Sequence, residues 1–335
     1  MKEKIDLNIS FWTITKVIIA VMLVYALFLI RDILALLFIV MILVVAFSPV
    51  VESWSRAMGR TASVIAIVVI FTGLLALGIY IIIPPMVSQI ADLTRTLPSQ
   101  FSRYDLIRSH LPSLESSLSV ITNSVGNVAS GVITITSSLA SGVVAFIATV
   151  VMFAYFLIDE RAMKYFILSL FPDNHRENMA QVLRKIAKKV GDWFRGQILL
   201  AFIIGVIDLV GLLILGVPYA LTLAVISGVL EIVPTLGPII AGLAAAIVAL
   251  TVSPLKALLV IIFYVVIQQI ENNFIVPKVM QKAVGLSPAI IIVAILIGAK
   301  LMGIVGAVIA VPLAASLSVV LAEWSTIRNY VVSNE

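Results

Sequence analysis

Glu231-Ile232-Val233-Pro234-Thr235-Leu236-Gly237-Pro238 interrupts a stretch of apolar and small residues that runs from 220 to 252. A proline removes a backbone donor and clashes with the turn before it, and glycine tolerates dihedrals closed to other residues. The stretch therefore predicts two helical arms joined by a bend with free backbone groups, not one uninterrupted membrane helix. Inside a bilayer such groups must face protein or a water-filled cavity. Broken helices near the midplane are a feature of secondary transporters, so the break points to transport first.

The surroundings of the break are strongly apolar. Of 335 residues, 62% are hydrophobic and 12% charged, with a mean hydropathy of +1.20, against about 25% charged in an ordinary soluble domain. Runs long enough to cross a bilayer as helices recur along the chain. The predicted fold class is all-α: a polytopic membrane protein of about seven to eight spans, with two broken, re-entrant helical hairpins in its C-terminal half. The short alternating segments of a membrane β-barrel are absent. The first apolar run, near 11–30, is too long for a signal segment and lacks a small-residue cleavage site, so it reads as a retained span. The absence of cysteine excludes disulfides, thiolate metal sites and a cysteine nucleophile. The formal charge of +5 reads as basic cytoplasmic loops, and nucleic-acid binding is the weaker interpretation.

Candidate spans are 13–30, 33–51, 62–83, 142–158, 197–215, 257–275 and 304–327, while 220–252 and 286–302 do not read as plain spans. The expected organisation is a scaffold of three spans (1–83), an extracytoplasmic helical segment (84–141), a fourth span with a cytoplasmic amphipathic helix (142–196), and a transport core (197–335) holding broken hairpins at 220–252 and 286–327. Arg161, Lys164, Arg176, Arg184, Lys185, Lys188, Lys189 and Arg195 crowd the segment 159–195, whereas the longer segment 84–141 has only Arg95, Arg103 and Arg108. The first is expected to be cytoplasmic and the second external, which puts both termini in the cytoplasm of a prokaryotic cell membrane. Polar helix-like patches in the external segment are interrupted by Pro98 and Pro112. Met179, Val182, Leu183, Ile186, Val190 and Phe194 recur at helical steps with basic residues opposite, which predicts an amphipathic helix along the cytoplasmic surface, touching anionic lipid or bracing neighbouring spans.

A gapless echo at an offset of 69 pairs Gly216 with Gly285, Ala220 with Ala289, Glu231 with Lys300, and Pro234-Thr-Leu-Gly237 with Gly303-Ile-Val-Gly306. With the charge-based orientation the two copies are inverted, an arrangement that places a transport site at their interface. Chance matching of Gly-, Ala- and Ile-rich sequence is the alternative.

Charged residues within spans cost about 2.5 to 3.5 kcal/mol each on insertion scales, so they usually face a cavity or a partner. Glu231, Glu271, Asn272 and Asn273 are expected to line the route, together with Pro234, Gly237 and Pro238 of the first bend and Lys300, Gly303 and Gly306 of the second. Asp208, Glu231 and Glu271 are the candidates for an ion or proton site, and Glu231 is a candidate to pair with Lys300. The structural alternatives are a fixed Glu231–Lys300 strut, an interhelical bond from Asp208, and a helix cap at Glu271. No enzyme is expected: His110 and His175 lie in loops on opposite sides, and neither a nucleophile elbow nor a phosphate-cradling loop is present. Neither a cofactor nor a metal site is expected.

The ordered motifs resemble those of the AI-2E transporters, the autoinducer-2 exporter-like permeases. They are Phe156-Leu-Ile-Asp159, Arg195-Gly196-Gln197, Gly216-Val-Pro-Tyr-Ala220, Glu231 to Pro238, Gln268-Gln269-Ile-Glu271-Asn272-Asn273, Pro277-Lys278-Val-Met, Gly285-Leu-Ser-Pro288, Gly303-Ile-Val-Gly306 and Val311-Pro-Leu-Ala314. The resemblance covers nearly the whole chain and implies a multi-pass secondary transporter and a homo-oligomer, with a pentamer as one reading. It implies export of a small polar signalling molecule or metabolite by alternating access, or alternatively Na⁺(Li⁺)/H⁺ antiport. The expected partners are a small polar solute, H⁺ or Na⁺, and the lipid bilayer, with no nucleic acid. A passive channel or a membrane scaffold is the alternative of another class; neither explains interior carboxylates together with opposed hairpins.

Overall fold

The computed structural model describes residues 11–101, 139–234, 236–280 and 285–323. Every regular element among them is helical. In order they are α1 (Phe11–Leu29), α2 (Arg31–Met58), α3 (Arg60–Phe101), α4 (Leu139–Ile158), the short α5 (Glu160–Ser169), α6 (Arg176–Ile214), α7 (Ala220–Leu230), α8 (Leu236–Leu250), α9 (Pro254–Ile270), α10 (Val276–Met280) and α11 (Pro288–Ala322).

Helices α2, α3 and α4 pack as a bundle around Val40, Val44, Val64, Phe153 and Leu157. The rings of Phe47, Phe71 and Phe153 meet edge to face, with centroids 5.1, 5.7 and 5.9 Å apart, the arrangement their quadrupoles favour. Arg60 pins one end. Its guanidinium donates to the carbonyls of Leu157 (2.8 Å) and Ile158 (2.9 Å) and to Glu160 Oε2 (2.8 Å). Those carbonyls end α4 and have no intrahelical donor, so the arginine caps the helix. Ser48 Oγ donates to the same Glu160 oxygen at 2.8 Å, which ties in α2.

Two boundaries differ from the sequence reading. Helix α3 continues through Pro84, Pro85 and Pro98 to Phe101, beyond the expected end at 83. Each proline removes one ladder bond while the turns on either side persist, so proline alone did not end the helix. The remainder of the expected external segment, with Pro112, lies outside the described residues. The expected surface helix and the following span are one continuous 39-residue helix, α6. Only Gly196 separates them, at an intrinsic cost of about 1 kcal/mol. That cost is offset by packing: a Cβ at Gly196 would lie 2.9 Å from Met280 Sδ. The apolar face carrying Met179, Val182, Val190 and Trp193 is buried in protein, not laid on lipid.

Beyond α6 the chain forms two helical hairpins with shared landmarks. Gly216 and Gly285, related by the offset of 69, both have positive φ (62° and 58°) and precede the first arm of a hairpin. The first hairpin is α7 and α8, joined at the bend following Leu230. The second is α11, which leaves helical geometry at Met302 and Gly303 and doubles back. Gly298 and Gly306 are in backbone contact there, whereas a straight helix would hold them about 12 Å apart. Gly237, which the offset relates to Gly306, is likewise the point where a second arm touches the backbone of its first arm, at Leu230. A Cβ at either glycine would collide with that backbone. Five helical segments among the described residues are long and apolar enough to cross a membrane. Pro288–Ala322 is one of them by length, but its reversal means that it does not cross as a single rod.

Candidate functional site

The site is assembled by the first hairpin running back along α6. Gly205 and Gly228 let the two helices approach: a Cβ on Gly228 would lie 2.9 Å from the Ala201 carbonyl and 3.6 Å from the Gly205 Cα. This close contact sets Ser227 against Asp208, to whose carboxylate its hydroxyl donates. It also sets the bend against Gln197, whose amide Nε2 donates to the backbone carbonyl of Glu231. A carbonyl at a helix end lacks an intrahelical donor, and the buried Gln197 supplies one.

The opposite wall comes from the end of α9. Residues Glu271–Ile275 form a single wide π turn that leads into α10. Pro277 in α10 lacks an N–H, and in a regular helix its ring would press on the carbonyl of Asn273; a widened turn relieves that clash. Glu271 is turned into the protein, 3% exposed, while Asn272 and Asn273 are exposed. Gln268 Nε2 lies 3.4 Å from Glu271 Oε2.

Between these walls is a cavity of about 670 Å³, within the usual range for small-ligand sites. Trp193, Gln197 and Leu200 come from α6, Glu231 and Pro234 from the first bend, Glu271 and Asn272 from the π turn, and Pro288, Ile291 and Val311 from the second hairpin. Its wall is mainly apolar, with two carboxyl groups as the charged features. Glu231 is fully buried, and among the described residues its carboxyl oxygens have no hydrogen-bond partner. Its strongest charged neighbour is the Glu271 carboxyl, and the Asp208 carboxylate acts on both. Facing carboxylates in a dry wall require a counter-charge, either a shared proton or a cation.

Of the residues expected to line the route, Glu231, Pro234, Glu271 and Asn272 meet at this cavity. Gly237, Gly303 and Gly306 shape the two reversals, Pro238 is buried in the second arm of the first hairpin, and Asn273 donates to the Gln269 carbonyl at 2.8 Å. Lys300 does not pair with Glu231: the lysine is exposed, the glutamate buried, and no ion pair joins them. The reason is geometric. Pro234 of the first bend lines the cavity together with Ile291 and Val311 of the second hairpin, and Ile291 precedes Lys300 by about 13 Å of helix. Gln197 and Trp193 were not singled out as site residues from sequence. The signal for Gln197 was a polar side chain at the start of an apolar span, where burial demands a partner. Among the described residues no group of three or more His, Asp or Glu is arranged to hold a metal ion.

The family model described as AI-2E family transporter matches residues 17–326. The chain is 29% identical over 299 residues to "Putative transport protein YrrI" of Bacillus subtilis (strain 168), covering 84% of this chain and 83% of that protein. It is 28% identical over 292 residues to "Putative transport protein YueF" of the same organism, covering 82% and 79%. It is 25% identical over 292 residues to "Putative permease PerM" of Escherichia coli (strain K12), covering 82% of each.

Proposed function

We propose a transport cycle on the premise that this chain belongs to the AI-2E transporter family, a multi-pass membrane protein family. The chain is a secondary transporter in which the cavity is the central site and the Glu231–Glu271 pair couples solute movement to a cation or proton. One observation carries this reading: two buried carboxyl groups, drawn from different hairpin and span elements, face one cavity with no cationic side chain among its described lining residues. A permanent scaffold has no use for such a pair, since removing it would stabilise the fold.

The basic excess around Arg184 to Lys189 orients the N-terminal part of α6 toward the cytoplasm. With that orientation the cavity residues Trp193, Pro277, Met280 and Gly285 belong to the cytoplasmic half, which supports reading the cavity as inward-facing. The first hairpin enters from outside and the second from the cytoplasm. With 11 residues in α7 and 15 in α8, its arms are about 16 and 22 Å long, short of a 30 Å hydrocarbon core. Alternating access would follow from movement of the hairpins against the α2–α4 scaffold. The cargo best suited to a small cavity with two acids and an exposed amide is a small polar solute that is neutral or cationic, exported from a prokaryotic cell. Assembly as a homo-oligomer belongs to the same reading.

The carboxyl pair equally favours a second reading, Na⁺(Li⁺)/H⁺ antiport, in which the cation is the cargo. Proteoliposomes loaded with a pH-sensitive dye distinguish the two. Antiport gives proton movement when Na⁺ or Li⁺ is added without solute; solute export gives none until a transported solute is present. Absence of both responses in well-folded protein would overturn the transport reading.

A further inference from the structure

One amphipathic helix among the described residues is left uncovered where a span ends. Helix α4 stops at Ile158, and α5 turns off its end. Met163, Phe166, Ile167 and, just past the helix, Leu170 recur at three- and four-residue steps on one side. Phe166 is 65% exposed and Leu170 68%, so this apolar side needs a cover other than water. Arg161 and Lys164 lie three apart on another side, both exposed, and among the described residues neither has an acidic partner. Tyr155 and Tyr165 are exposed on either side of the turn, and tyrosine is a residue that collects where hydrocarbon meets headgroups.

Beneath α5 is an apolar groove of about 550 Å³. Leu37 and Met41 of α2, Phe156 of α4, and Met163 and Ile167 of α5 line it, with Asp159 as the charged group among its described lining residues. The surface helix expected from sequence is buried against protein as part of α6, so α5 is the element left with the make-up of an interfacial helix. Charge selects the occupant. Glu160 is taken up by Arg60 at 2.8 Å, so Arg161 and Lys164 exceed Asp159 by one positive charge. That balance fits a lipid with one negative charge, and the stems of arginine and lysine are long enough to reach across a helix to headgroup level. Asp159 can accept from headgroup hydroxyls, which glycerol offers and choline does not. We propose that α5 docks one anionic phospholipid, phosphatidylglycerol in the first instance, with an acyl chain in the groove and the phosphate at Arg161 and Lys164.

The lipid has a route to the cavity. Leu168, on the side of α5 turned away from the groove, packs on the cluster of Met179 and Val182 from α6 and Val319 from α11. A lipid that fixes α5 therefore bears on the helix that carries Trp193 and Gln197 to the cavity, and on the returning arm of the second hairpin. Transport should then depend on the anionic lipid. This dependence rests on the transport reading, whereas the binding does not.

The test is native mass spectrometry of the purified full-length protein, titrated with dioleoyl phosphatidylglycerol, phosphatidylethanolamine or phosphatidylcholine. Wild type should retain one phosphatidylglycerol at least about tenfold more tightly than either other lipid. Arg161→Gln with Lys164→Gln should erase that preference, whereas Arg184→Gln with Lys188→Gln, which removes the same charge from α6, should keep it. Met163→Trp fills the groove and should weaken all three lipids; Ile167→Trp is the second probe if that variant fails to fold. Equal retention of phosphatidylglycerol and either other lipid by wild type would overturn the site, as would an undiminished preference in the Arg161 and Lys164 double variant or unchanged binding in both groove variants. Disulfide-linked dimers through Phe166→Cys, formed whether or not phosphatidylglycerol is present, would place a second copy of the chain on the groove and overturn it too. Phosphatidylglycerol binding with no transport by wild type in vesicles containing that lipid would overturn the transport reading and leave the site standing.

Discussion

Glu231 and Glu271, on the first hairpin bend and on the π turn after α9, are each buried and line one cavity, and among the described residues neither has a cationic partner. Their proximity destabilises the resting fold, because two acids are taken out of water with no compensating ion pair. Glu231→Gln is therefore expected to raise the unfolding midpoint, by an amount worth about 1 kcal/mol, while transport is lost. Thermal unfolding of the purified variant beside wild type checks the sign.

Gln197 satisfies the Glu231 carbonyl at the end of α7. Gln197→Ala leaves that buried carbonyl without a donor and should cost about 1 to 3 kcal/mol. Gln197→Leu, similar in volume, should cost a comparable amount, since the lost bond and not the lost bulk is responsible. Chemical denaturation of the two variants measures this.

The second reversal separates two causes of glycine dependence. At Gly303, with φ of 62° and ψ of −141°, nothing lies within 4 Å of an added Cβ. Gly303→Ala should therefore cost only backbone strain, about 1 to 3 kcal/mol. Gly306→Ala meets the Gly298 backbone directly. It should prise the arms apart and abolish transport, and accessibility of a cysteine placed at position 299 should rise in Gly306→Ala but not in Gly303→Ala.

Arg60 donates to two carbonyls at the end of α4 and to Glu160. Arg60→Lys keeps the charge but loses the planar fork, so it should recover less than half of the stability lost in Arg60→Ala. Unfolding midpoints for the two variants test this.

The break itself was legible because Pro234, Gly237 and Pro238 act locally, through missing donors and permitted dihedrals. The offset of 69 was legible for a similar reason: Gly216 and Gly285 occupy left-handed backbone, and Gly237 and Gly306 occupy points of backbone contact, so chemistry recurs where geometry recurs. Pairing was not legible. Glu231 and Lys300 are related by the same offset, but equivalence in a repeat does not make residues neighbours. Which face of α9 carries Glu271 depended on a π turn, and a one-residue insertion in the hydrogen-bond ladder leaves little trace in a pattern of apolar residues. The continuity of α6 was hidden because its polarity changes near Gly196 while its backbone does not.

The most direct measurement is solute or cation flux into proteoliposomes by wild type, Glu231→Gln, Glu271→Gln and the double variant, at matched protein density. If the two carboxyls act as one unit, each single variant should lose at least about tenfold in rate and the double variant should be no worse than either. Wild-type flux from Glu231→Gln and Glu271→Gln, with the folded state intact, would contradict the account.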